Sequence, residues 1–233
     1  MTLNEMIYHR KSCRQFTGKP VDAEMIAKIL SFEPKPLYPQ IKVRMDIVGR
    51  DHVKCICPWT TPQLITVYSE EAEGYLENIG FLFQQMDLYL QTLGLGVCWL
   101  GMGRMNPKTT TRVEGMKFVI MLAFGHPKGD RLRHNLQGFK RKPMEQITDK
   151  ADPGLEPARL APSAVNSQPW YFTHEGDTIH VYCNKKGSRL DAGIALAHLY
   201  VASEDTFRFF KVKDVTEVPG YGYIGSITLN NGM

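Results

Sequence analysis

Apolar and polar residues recur along this chain in two periods, and the switches between them mark out its elements. Thr2 and Glu5 stand at capping-box spacing ahead of Met6, Ile7 and Tyr8, which predicts a short helix stopping near His9. Asp22 can cap a second helix whose Met25, Ile26, Ile29 and Leu30 make one apolar face, and Pro34 and Pro36 end it. Ile41, Val43, Met45 and Ile47 then alternate with Lys42, Arg44 and Asp46, the period of a half-buried strand, and 63–68 reads as another. From Glu71 to Leu93 the apolar residues Leu76, Ile79, Phe83, Met86, Leu90 and Leu93 return at steps of three and four. That predicts a long central helix with a narrow buried seam. Two apolar runs follow, 97–100 and 117–124, the second continuous enough for a strand covered on both faces. A polar, basic, glycine-containing stretch fills 125–143 and reads as loop.

The remaining third adds a short helix over 155–161, strands at 170–173 and 178–183 around a hairpin signal, a helix over 191–205, and strand-like alternation at 207–212 and 221–229. Helices and strands interleave without regular βαβ spacing, so the expected class is α+β. An echo runs through the pattern. Asn78-Ile79-Gly80 and Asp191-Ala192-Gly193 each open an apolar helical run, with the order strand, loop, helix around both. This suggests a duplication with diverged halves. Because a helical glycine costs about 1 kcal/mol relative to alanine, its presence in both helices points to close packing, as of one helix against the other.

Composition narrows the class without naming a partner. The chain has 233 residues, 43% of them hydrophobic and 22% charged, with 28 Lys+Arg against 24 Asp+Glu. A net charge of +4 is too small and dispersed to predict nucleic-acid or membrane binding. No apolar run reaches membrane-spanning length and the start of the chain is polar and acidic, which leads to the expectation of a cytoplasmic protein. Five cysteines, Cys13, Cys55, Cys57, Cys98 and Cys183, make an odd count unlike a disulfide framework, and Cys55-Ile56-Cys57 lacks the spacing of a metal or redox pair. No Walker A loop or nucleophile elbow is present, and Gly94-Leu95-Gly96 falls one glycine short of a dinucleotide fingerprint.

Three segments carry candidate chemistry. In Arg10-Lys11-Ser12-Cys13-Arg14-Gln15-Phe16, two guanidiniums and a hydroxyl could converge on a phosphate, although five such residues alone read as a solvated basic turn. In Gly94-Leu95-Gly96-Val97-Cys98-Trp99-Leu100-Gly101, Gly101 would let backbone N–H groups approach a ligand, or the segment could simply cap a helix and enter a strand. In Ala161-Pro162-Ser163-Ala164-Val165-Asn166-Ser167-Gln168-Pro169-Trp170, two prolines stiffen a loop rich in donors and acceptors, the chemistry wanted around a planar heterocycle with imide edges. His198 reads as a hydrogen-bonded core histidine and Trp170 as a packing anchor. Tyr38, Trp59 and Phe139 are candidate pocket walls, and 131–142 offers further cations.

Together these segments resemble the FMN-dependent nitroreductase family. The Arg-x-Ser-x-Arg-x-Phe stretch follows a first short helix, the Gly-Leu-Gly-x-Cys-Trp-x-Gly stretch follows a long helix, the Ala-Pro-Ser-x-x-Asn-x-Gln-Pro-Trp loop is complete, and Arg141-Lys142-Pro143 looks like the family's late Arg-x-Pro. One departure is informative: the Pro-Ser loop of the family follows the second helix, a place held here by Phe32 to Gln40, and it stands instead in the second part of the chain. The resemblance therefore implies the subfamily in which one chain carries two nitroreductase-type halves, 1–145 and 146–233, an internal duplication mimicking the family homodimer. It implies an α+β fold with a mixed or antiparallel sheet flanked by helices. It also implies one FMN between the halves and ping-pong electron transfer from NADH or NADPH to a nitroaromatic, quinone or similar acceptor. The implied cofactor contacts are Arg10, Ser12, Arg14 and Arg141 at the phosphate and Lys11 at the pyrimidine edge. Leu100, Gly101 and Met102 are implied near N5, and Pro162, Ser163, Ala164, Asn166 and Gln168 along the ring. No catalytic side chain and no metal are implied, since the flavin does the chemistry. The implied assembly is a monomeric pseudo-dimer or a homodimer, and the alternative role is a non-catalytic FMN sensor or carrier.

Overall fold

The structure is a computed structural model and describes residues 1–55, 61–108, 113–129 and 131–229. Its elements run α1 (Leu3–Ile7), α2 (Ala23–Leu30), β1 (Val43–Gly49), β2 (Val53–Lys54), β3 (Gln63–Ser69), α3 (Tyr75–Thr92), β4 (Gly96–Leu100), β5 (Arg104–Met105) and β6 (Lys117–Gly125). They continue with α4 (Glu156–Leu160), β7 (Trp170–Glu175), β8 (Thr178–Asn184), α5 (Arg189–Ala202), β9 (Arg208–Phe210) and β10 (Tyr221–Thr228). Among the described residues the two main sheets are antiparallel throughout, so the class is α+β as expected. The chain divides into two compact units, the first made of Met1–Tyr75 and Met86–Asn135, the second of Leu76–Gln85 and Leu136–Met233.

In the first unit the capping box at Thr2 forms in full, with the hydroxyl accepting from Glu5 N and the Glu5 carboxylate accepting from Thr2 N at 2.8 Å. Asp22 caps α2 through Met25 N at 2.9 Å. The sheet has the order β1-β3-β6-β4. Its centre is β3, whose Leu64, Ile65 and Val67 are almost wholly buried, and β6 grades from exposed Lys117 to buried Met121, Leu122, Ala123 and Phe124. Burial of β6 on both faces therefore holds only for its second half. Phe32 stacks on Tyr89 with ring centroids 4.1 Å apart, fixing the end of α2 against the last turns of α3.

The second unit holds the sheet β7-β8-β10-β9 and the helices α4 and α5. Its hairpin is tighter than the sequence suggests, because β7 continues through His174 and Glu175 and leaves only Gly176 and Asp177 to turn, Gly176 at φ +57°. Within this unit the Leu76–Gln85 segment of α3 crosses α5 at the two glycines. A Cβ on Gly80 would overlap the Leu190 carbonyl oxygen and stand 3.0 Å from Ile194 N, and a Cβ on Gly193 would overlap the Glu77 carbonyl oxygen and stand 2.9 Å from Glu77 Cα. The two glycine-bearing helices pack directly against each other, which explains why both tolerate a residue of poor helix propensity.

The expectation of a narrow apolar seam on α3 does not hold. Glu77, Asn78, Gln84, Gln85, Asp87 and Gln91 are all buried along with Ile79, Phe83, Met86 and Leu90. Burial around the whole circumference is tolerated because polar side chains find partners: Glu77 pairs with Arg189, Gln84 with His198, and Asp87 with Arg10 and Gln91.

Candidate functional site

The segment after α1 is held by backbone contacts before any side chain acts. Ser12 bridges Val97 in parallel fashion, Cys13 N donates to Val97 O at 2.8 Å, Lys128 N to Gln15 O at 2.8 Å and Arg133 N to His9 O at 2.8 Å. Gly96 makes the approach to β4 possible, since a Cβ there would overlap the Cys13 side chain. Lys11 N donates to Gln91 Oε1 at 3.1 Å.

Arg10 is 1% exposed, and its Nε and Nη2 each reach Asp87, at 0% exposed, across 3.3 Å, with Nη2 also donating to Ser12 Oγ at 3.4 Å. Its charge is thus matched inside the protein, and it acts as a strut under the turn. Lys11, Ser12, Cys13, Arg14 and Gln15 instead line an open pocket of about 280 Å³ together with Lys128 and Arg131. Among the described residues, four cations and no acid line it. The positive field reaches the neighbouring Arg133, whose pKa is pushed down to about 10 by burial and by Arg10 and Arg14. Burial pushes the Cys13 thiol up, so the pocket offers a protonated sulfur and no nucleophile.

Gly94 ends α3 at φ +87°, and β4 carries Leu100 into the apolar cluster with Leu64, Met121 and Ala123. Beyond it the chain turns outward: a Cβ on Gly101 would meet nothing within 4 Å, and Met102 is exposed. The backbone at Gly101 is open to an incoming group, whereas the Leu100 side chain belongs to the core.

In the second unit the Ala161–Trp170 loop is rigid and strained. Val165, Asn166 and Gln168 adopt φ of +46°, +58° and +43°, a region that costs non-glycine residues on the order of 1–3 kcal/mol each. Side chains hold them there. Ala164 N donates to both Asp191 carboxylate oxygens at 3.2 Å, Gln168 N to Ser163 Oγ at 2.9 Å, Lys142 N to Gln168 Oε1 at 2.9 Å, and Asn166 Nδ2 to Lys140 O at 3.0 Å. Arg141 donates to Asn166 Oδ1 and to the carbonyls of Leu160 at 3.2 and 3.1 Å and Phe139 at 3.2 Å. Arg141, Asn166 and Gln168 are therefore brought together, with Arg141 bracing the loop from below. Burial pushes the Asp191 carboxyl up to about 6, against the lowering effect of the Ala164 N–H.

The other sequence candidates are placed as follows. His198 is fully buried, its Nδ1 2.9 Å from Pro157 O and its Nε2 3.0 Å from Gln84 Nε2, the pattern of a core histidine donating through one nitrogen and accepting through the other. Trp170 is buried at the start of β7, Phe139 lies buried beside Arg141, and the Tyr38 ring packs on Gly74. Cys57 and Trp59 lie outside the described residues. Sequence reasoning missed Lys128 and Arg131 as individual site residues, and it missed the supports Asp87, Gln91 and Asp191. The Gly-His-Pro-Lys run after β6 was the available signal for Lys128, while the supports are distant in sequence and carry none.

No helix among the described residues is long and apolar enough to cross a membrane. No curated protein matches the chain. Among solved structures, a putative nitroreductase from Thermotoga maritima superposes with a TM-score of 0.70 at 21% identity, over 99% of this chain and 94% of that one. A nitroreductase family protein from Clostridium difficile gives 0.48 at 17% identity over 63% and 96%. An FMN-dependent nitroreductase from the same species gives 0.44 at 18% over 61% and 98%. The first of these shares the fold over nearly its whole length. A family model described as "Putative TM nitroreductase" matches residues 2–203, and the chain belongs to that nitroreductase family.

Proposed function

We propose that this protein is an FMN-dependent oxidoreductase that takes electrons from NADH or NADPH and passes them to a nitroaromatic, quinone or similar small acceptor. The observation that carries the reading is the open basic pocket formed by residues Lys11 to Gln15 with Lys128 and Arg131. Its donor set fits a phosphate monoester, which carries a charge near −2 at neutral pH and accepts charge-assisted hydrogen bonds. Lys11, Arg14, Lys128 and Arg131 would supply the charge and Ser12 a hydroxyl donor, with Arg10 positioning Ser12 from beneath. Once bound, the flavin would supply the hydride-transfer chemistry, so no acid–base dyad is asked of the side chains.

The assignment of Pro162, Ser163, Ala164, Asn166 and Gln168 to the flavin ring, of the Gly101 and Met102 backbone to N5, and of Arg141 to the phosphate rests on the sequence motifs. So does the reading of the chain as two nitroreductase-type halves sharing one flavin. The bonds that stiffen the 163–168 loop support the ring assignment, because a rigid edge orients a planar ligand without ordering costs at binding. The bonds already made by Arg141 favour a bracing role over direct phosphate contact.

Reconstitution with FMN tests this. The expected result is one flavin per chain, bleached by NADH or NADPH under anaerobic conditions and recoloured by a nitroaromatic. A ratio near two would overturn the shared-flavin reading, bound flavin that no donor bleaches would mark a carrier, and a protein that takes up no FMN would overturn the whole proposal. Arg14→Glu should release the flavin, and unchanged retention would contradict the pocket assignment.

A further inference from the structure

In the first unit, β2 and β5 form a short antiparallel ribbon beside the main sheet, with Val53 opposite Met105 and Lys54 opposite Arg104. Val53 is buried in the cluster that holds Leu64, Leu100 and Met121, and Met105 packs against the same cluster. Alternation along a strand then sends Lys54 and Arg104 together to the other face, where both are exposed. Like charges directly opposite each other destabilise a strand pair. The register cannot slip to part them: Asn106 N donates to His52 O at 2.8 Å, Asn106 Nδ2 to Asp51 O at 3.0 Å, and Arg50 to the carbonyls of Val53 and Cys55 at 2.9 Å each. Nor does the local sequence supply a counter-charge. The stretches 52–62 and 104–113 contain Lys54, Arg104, Lys108 and Arg112 and no acid, and Asp51 is bonded to His52. Arg104 folds back so that its Nη1 donates to the carbonyls of Gly103 at 2.8 Å and Gly101 at 3.3 Å. Carbonyls satisfy N–H groups without cancelling the charge, and they fix the guanidinium beside the Gly101 backbone, which is open to an incoming group.

Resting on the function proposed above, in which the Gly101 backbone borders the flavin, we infer that Lys54 and Arg104 are specificity-determining residues: they bind an anionic group, a phosphate or carboxylate, on a small reactant that reaches the flavin edge. An anion set between the two cations turns their mutual repulsion into two charge-assisted contacts. The ribbon holds both cations in place beforehand, so the gain appears in binding with little ordering cost. The anion has two possible sources, the additional phosphate that distinguishes NADPH from NADH, or a carboxylate carried by the acceptor.

The test uses Lys54→Gln and Arg104→Gln in the full chain loaded with FMN, and measures dissociation constants on oxidised protein with no reductant present. NADP+ against NAD+ reads the donor, and 4-nitrobenzoate against 4-nitrobenzamide reads the acceptor. In at least one of these pairs the wild type should prefer the member with the additional anion, and each variant should shrink that preference about fivefold or more. Added salt should shrink it in the wild type as well, since the site is exposed. A wild type without such a preference in either pair, or variants that leave it unchanged, would overturn the assignment. So would a fall in FMN affinity, which would make the ribbon a cofactor contact. Without flavin, Lys54→Gln should melt at or above the wild-type temperature, because one of two facing like charges is gone, and a lower melting temperature would mark the pair as structural and overturn the assignment too. Failure of the flavin reading is separate and seen first, as wild-type protein that takes up no FMN.

Discussion

Gly80 and Gly193 face each other's helices in a reciprocal way. The Cβ that Gly80 lacks would strike the carbonyl of Leu190, three residues before Gly193, and the Cβ that Gly193 lacks would strike the carbonyl of Glu77, three residues before Gly80. Equal offsets on both helices are what a local two-fold relationship between the two crossing helices produces. Since backbone atoms cannot swing aside as a side chain can, Gly80→Ala and Gly193→Ala should each destabilise by about 1–3 kcal/mol or more despite alanine's better helix propensity. Urea denaturation measures it. The double variant should cost less than the sum, because separating the helices for one methyl makes room for the other.

The buried pair of Arg10 and Asp87 supplies a second prediction. Asp87→Asn leaves a guanidinium at 1% exposure without its counter-charge, and should cost about 3–5 kcal/mol. Replacing both partners, Arg10→Met with Asp87→Leu, should recover much of that loss in thermal melting while flavin retention stays impaired, because Ser12 and the turn above lose their support.

Asp191 makes stability depend on pH with a definite sign. Burial raises its folded pKa from the ordinary 3.8 to about 6, so between these values the folded chain holds a proton the unfolded chain has lost. Its contribution is therefore greatest below about pH 4, declines as pH rises towards 6, and is level above, a change on the order of 3 kcal/mol. Other carboxyls titrate in the same window, so the measurement is the difference between wild type and Asp191→Asn. That difference should move against the wild type from pH 4 to pH 7, and a flat difference would refute the shift.

If Lys11, Arg14, Lys128 and Arg131 hold a phosphate, riboflavin should bind at least about 100-fold more weakly than FMN, as expected from losing two or more charge-assisted hydrogen bonds. Lys128→Glu or Arg131→Glu should weaken FMN while leaving riboflavin unchanged, by fluorescence titration. Equal affinity for the two flavins would place the phosphate elsewhere.

Much of this architecture is legible in the order of residues. The caps at Thr2 and Asp22, the alternation of β1 and the glycines of α3 and α5 are local signals, and each forms where its pattern places it, while the β7–β8 turn closes on Gly176 and Asp177 alone. The burial of α3 around its whole circumference was not legible, because Gln84, Asp87 and Gln91 look like a solvated face until His198 and Arg10 are seen to meet them. For the same reason the motif marks Arg10 as a ligand, while only its distant partner Asp87 shows that its charge is already answered. Lys128 joins the pocket through backbone pairing with Gln15, and Arg131 through the segment whose Arg133 pairs with His9, relations set by the fold and invisible to spacing.

The division of α3 bears on cooperativity. One uninterrupted helix of 18 residues gives its Leu76–Gln85 stretch to the second unit and its last turns to the first. A fragment cut at Asn135 would leave the 136–233 piece without the helix that Gly193 is shaped to receive, its groove open to water and to aggregation. The two units should therefore melt together in a single transition, and calorimetry should find one enthalpy of unfolding for the whole chain.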